Sequence, residues 1–80
     1  MSDYVDNHPL SRDLPQYRQA IRDLKMNNKH FSRLLVEYEA IDKKIVRIEQ
    51  GVEHTDDLEL DALKMKRVHL KDDLVEHLQQ

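Results

Sequence analysis

The chain has no cysteine and no tryptophan, only two prolines and a single glycine, Gly51, and each scarcity removes a class of explanation. Without cysteine there is no disulfide framework, no thiol nucleophile and no thiolate metal site. One glycine cannot supply a Gly-rich phosphate loop, nor the turn punctuation that a sheet protein needs, so strands are not expected. No apolar run approaches the ~20 residues that cross a bilayer. The amino terminus, Met1-Ser2-Asp3-Tyr4-Val5-Asp6, has neither the basic nor the apolar region of a secretory signal. The expectation is therefore a soluble cytoplasmic protein with no membrane partner. Positive charge is not in excess either: the formal net charge is -3, which gives no global pull toward phosphate backbones, and nucleic acid is not an expected partner.

What the chain does contain is charge and helix-compatible residues. Charged side chains make up 36% of 80 residues, a composition that suits long solvated helices in one small domain. A core of that size contributes marginal stability unless helix packing is well ordered or copies associate. The apolar residues are spent on stripes. Phe31, Leu34, Tyr38, Ile41, Ile45, Ile48 and Val52 alternate steps of three and four, the pattern of a seam for another helix.

Punctuation along the chain divides it into elements. Residues 1–12 are polar and contain Pro9, and they read as a flexible lead-in. A first helix over 13–26 is expected to be capped by Asp13 with Gln16 three residues on, and to carry the stripe Leu14, Tyr17, Ile21 and Leu24. Asn27-Asn28 should end or kink it over a few residues and offers a cap for the next helix, because asparagine side chains compete for backbone hydrogen bonds. A second helix over 29–50 carries the seam and ends at Gly51, which suits a left-handed terminating position. A loop over 51–54 and a cap at Thr55 lead into a third helix over 55–79, with Asp56, Asp57, Glu59 and Asp61 favoured by the dipole of its opening turns. Its stripe is Leu60, Leu63, Leu70, Leu74 and Leu78, interrupted by Arg67.

Two equal helices of about 35 Å each, joined by a short loop, must fold into an antiparallel hairpin. The fold class is all-α: a coiled-coil-like antiparallel hairpin with a short additional N-terminal helix, residues 13–80 forming one domain. Folding about the loop sets Ile45 near Leu60, Ile41 near Leu63, Leu34 near Leu70 and Phe31 near Leu74. It also sets Tyr38 near Arg67, so the guanidinium is expected on the Tyr38 ring as a cation-π contact. Asp42 and Lys64 should pair beside the seam.

These residues, in this order, resemble the YdcH-like family of small bacterial proteins of unknown function. The resemblance runs from Pro15 to Leu78 through Tyr17, Ile21, Leu24, His30-Phe31, Leu34, Tyr38, Ile41-Asp42, Ile45 and Glu49. It continues in Leu63-Lys64, Arg67-Val68 and the distinctive Leu70-Lys71-Asp72-Asp73-Leu74. Ile41 and Val68 stand where the family would have leucine. The resemblance implies a helical hairpin or coiled coil and no known catalysis.

Chemistry has few candidates. His69, Asp73 and His77 lie four apart on one helix face, a spacing that could hold a divalent ion, but an open face offers too few ligands and no supporting groups. A solvated polar face is the expectation, with His30 a surface residue. No nucleophile stands with a base, so no catalytic residue, cofactor or enzyme activity is expected. Lys64, Lys66, Arg67 and Lys71 could meet phosphates, but Asp61, Asp72 and Asp73 are interspersed and oppose a field of one sign. The apolar residues left over are more suggestive. Met65, Val68 and Val75, with Leu58, form a second stripe on the last helix, and Leu35 and Val46 add patches on the one before. Either the first helix folds back over them or another chain does. The functional expectation is a helical protein-interaction or self-association module with Leu35, Val46, Met65, Val68 and Val75 as contact residues. The alternative is a nucleic-acid-binding accessory protein that uses the basic residues of the last helix.

Overall fold

The computed structural model of the protein describes residues 9–80. Among these the chain is all-helical: α1 Pro9–Asp13, a 3-10 turn Pro15–Tyr17 running into α2 Arg18–Asn27, then α3 Lys29–Glu49 and α4 Asp57–Leu78. Helices α3 and α4, of 21 and 22 residues, form the expected antiparallel hairpin. No helix of the described residues is long and apolar enough to cross a membrane.

Each boundary has a local cause. Asn28 leaves the helical region at φ -130°, and its side-chain oxygen accepts from Phe31 N at 3.0 Å, so one residue ends α2 and caps α3 where a break of several was expected. At the other end of α3, Gly51 sits at φ 80°, Gly51 N donates to Ile48 O and Val52 N donates to Arg47 O. This is a Schellman closure, and it requires the conformation that only glycine adopts freely. The cap of α4 is Asp56 and not Thr55: Asp56 Oδ1 accepts from Glu59 N at 2.7 Å, while Thr55 Oγ1 donates to Glu59 Oε2 at 2.8 Å. A carboxylate makes the stronger, charge-assisted bond to an unpaired amide, so the acid takes the cap and the threonine holds the side chain three positions in.

The amino-terminal part departs furthest from expectation. Residues 1–8 of the expected flexible lead-in lie outside the described residues, but 9–13 are helical, with Leu10 1% exposed in the core. Asp13 closes α1 and does not cap the next helix. The break falls instead at Leu14, φ -127° and ψ 64°, and no side chain caps the turn that follows. Pro15 explains this position, because its ring disfavours the helical region for the residue before it.

The main core gathers at the open end of the hairpin, away from the loop. Phe31, Leu35 and Tyr38 of α3 and Leu70, Leu74 and Leu78 of α4 are buried together with Leu10 and Ile21, and Leu14, Tyr17, Ala20, Leu24, Leu34 and Ile41 pack against them. The amino-terminal helices thus fold back over the hairpin and supply cover from within the chain. Ile45 is buried nearer the loop. Val52, last in the heptad series, is 71% exposed, because it follows Gly51 and has already left the helix.

Candidate functional site

The five expected contact residues do not share one surface. Leu35 is 3% exposed and belongs to the core. The physical reason is that α3 has neighbours on two sides, α2 and α4, which widens its buried arc beyond a two-helix seam and takes in Leu35 fully while Leu34 stays half-buried. Val46 and Val75 are also half-buried. Met65 and Val68, 58% and 52% exposed, remain open on the outer face of α4, as does Leu58 near its start.

The basic residues of α4 are mostly committed within the chain. Lys64 Nζ pairs with Glu49 at 3.0 Å, Arg67 Nη1 donates to Asp42 Oδ1 at 2.7 Å, and Lys71 Nζ reaches Asp13 at 3.4 Å. Two expectations are corrected here. Asp42 takes Arg67 in place of Lys64, and the Arg67 guanidinium goes to that carboxylate, the contact assigned from sequence to the Tyr38 ring. A half-buried carboxylate offers a charge-assisted bond, which outweighs the weaker attraction of a ring face. The Tyr38 hydroxyl still feels both partners. Burial raises its pKa, the negative charges of Asp42 and Asp13 raise it further, and the Arg67 charge opposes them.

The histidines are rearranged across the hairpin. His77 does not gather with His69 and Asp73, which are exposed; its ring lies edge-on to His30 of α3, centroids 5.2 Å apart, and to Phe31 at 6.1 Å. Among the described residues no three His, Asp or Glu side chains stand close enough together to hold an ion.

A second surface escaped sequence reasoning. Around the break at Asn28, Lys25 and Met26 of α2 and Lys29, Ser32, Arg33 and Val36 of α3 line an open cleft. Lys25, Lys29 and Arg33 are exposed and have no ion pair among the described residues, and Met26 and Val36 are 78% and 61% exposed. The available signal was local charge. From Arg12 to Val36 the chain has six basic residues and only two acidic ones, Asp13 and Asp23, against a negative balance overall.

Comparison with known families bears on this arrangement. A profile described as a protein of unknown function (DUF465) matches residues 31–78. The chain belongs to the DUF465 family. YdcH-like proteins are part of that family, as the resemblance implied. The matched stretch begins at Phe31 and ends at Leu78, so DUF465 here corresponds to the α3–α4 hairpin, while α1, α2 and the basic part of the cleft before Phe31 lie outside it. No curated protein and no solved structure matches the chain.

Proposed function

We propose that this DUF465 protein is a small, non-catalytic protein-interaction module of the cytoplasm that associates through an exposed helix face. The observation that carries the reading is the outer face of α4. Met65 and Val68 stand one turn apart and more than half exposed, although the chain's own α1, α2 and α3 have already covered its hairpin core. Side chains at a spacing of three on one helix are neighbours, so the two make a continuous apolar patch, and Leu58 extends it two turns toward the loop. An exposed apolar stripe on a helix is the element that lies in the groove of a partner or against another helix. The cations that would have suited a phosphate backbone on this same helix are largely held by Glu49, Asp42 and Asp13.

The test is cross-linking and affinity capture from the native cell, with the wild-type chain compared with Met65→Glu/Val68→Glu. Charges on that patch should remove the captured partners while far-UV circular dichroism stays unchanged, because neither residue belongs to the core. Identical partner lists for the two proteins would defeat the reading.

A further inference from the structure

The outer face of α4 is acidic as well as apolar. Taking about 100° of rotation per residue, Leu58, Asp61, Val68, Asp72 and Glu76 all fall within about 60° of Met65. All are exposed, and no lysine or arginine lies in that sector. Asp61, Asp72 and Glu76 have no ion pair among the described residues. The cleft at the α2–α3 junction is the opposite in sign: among the described residues Lys25, Lys29 and Arg33 have no ion pair and no acid lines the cleft, and Met26 and Val36 are exposed.

We infer that the occupant of this cleft is a second copy of the chain, which docks the outer face of its α4 there. The inference rests on the reading of that face as an interaction surface and names its partner. Charge complementarity is the first support, since each surface supplies the counter-ions that the other lacks. Spacing is the second. Within α3, Val36, Arg33 and Lys29 step back by three and four, and within α4 Leu58, Asp61 and Met65 advance by three and four. Laid antiparallel on α3, Leu58 meets Val36, Asp61 meets Arg33 and Met65 covers the stem of Lys29, while Lys25 and Met26 of α2 border the contact beyond the break at Asn28. One level joins two apolar residues, one joins opposite charges, and at the third Met65 lies on the apolar part of the Lys29 side chain. A nucleic acid would satisfy Lys25, Lys29 and Arg33 but would leave Met26 and Val36 without partners, and among the described residues no aromatic side chain lines the cleft for a base to stack on. The contact is heterologous, joining two different surfaces of the same chain, so it propagates from copy to copy or closes as a ring.

Light scattering and sedimentation on the full chain, from micromolar to millimolar concentration, test this. Mass should rise with concentration at low salt, and the association should weaken by about tenfold or more from ~50 to ~500 mM salt as the facing charges are screened. Lys29→Glu/Arg33→Glu and Asp61→Lys/Asp72→Lys should each be monomeric and folded, and an equimolar mixture of the two should associate again. The same change of charge at Lys43 and Lys66, outside both faces, should leave association intact. A monomeric mass at millimolar concentration and low salt would overturn the inference, as would failure of the mixture to associate or equal disruption by Lys43→Glu/Lys66→Glu. Gel retardation of an oligonucleotide that is lost in Lys29→Glu/Arg33→Glu would overturn it too. A monomeric chain that still loses captured partners on Met65→Glu/Val68→Glu would overturn self-docking alone and leave the interaction module standing.

Discussion

The two ends of the hairpin are held by different physics. At the open end Phe31, Leu74 and Leu78 are buried under Leu10 and Ile21 of the amino-terminal helices, so that three separate parts of the chain meet, and the contacts are apolar. At the loop end the groups in contact are near neighbours in sequence. Gly51 closes α3, Asp56 caps α4, and Glu53 clasps both Lys44 and Arg47 at 3.7 and 3.1 Å. The difference teaches where stability resides. The polar loop end sets the turn and is screened by water, whereas the apolar end holds most of the burial that folding has to offer.

Removing Phe31 should break that contrast most severely. Phe31→Ala should cost about 3 to 5 kcal/mol in urea unfolding, and Leu10→Ala about 2 to 5 kcal/mol, because both leave cavities in one packed cluster. The Leu10 value is the sharper probe. A cost below ~1 kcal/mol would mean that α1 adds nothing to the core and that the two ends differ less than the packing indicates.

The loop end should respond to backbone geometry more than to contacts. Gly51→Ala places a side chain at φ 80° with nothing within 4 Å of the new Cβ, so its cost is conformational, about 1 to 2 kcal/mol, and thermal unfolding would measure it. Midway along the hairpin, a double-mutant cycle with Asp42→Asn and Arg67→Gln should return a coupling of about 1 kcal/mol, more than a fully exposed pair gives and less than a core substitution costs. A coupling near zero there, with a measurable one for Tyr38 and Arg67, would restore the cation-π contact in place of the ion pair.

Much of this frame was legible from single residues. Asn28, Gly51 and the acidic cluster at Asp56 mark boundaries because caps and left-handed termini depend on the chemistry of one or two neighbouring residues. Leu70, Leu74 and Leu78 mark the core stripe of α4 because burial repeats with the helical period. The candidate site was half legible. Met65 and Val68 stand out as apolar residues beside a seam already filled, but Leu35 looked equivalent to them, and Met26, Lys29, Arg33 and Val36 are separated by a break that hides their common surface.

By itself, then, the sequence determined an all-helical chain, the ends of α3 and α4 to within two residues, and the antiparallel pairing of two equal helices across a loop too short for any other arrangement. Tertiary structure alone decided how wide an arc of α3 is buried, which carboxylate Arg67 reaches, where His77 turns, and that the cleft cations have no ion pair among the described residues. The reason is one of range. Helix propensity, capping and periodicity act over a few residues and are written locally, whereas the width of a buried face depends on how many elements pack around it. The partner of a long charged side chain depends on distances of a few ångströms between helices, which a repeat of three and four does not specify.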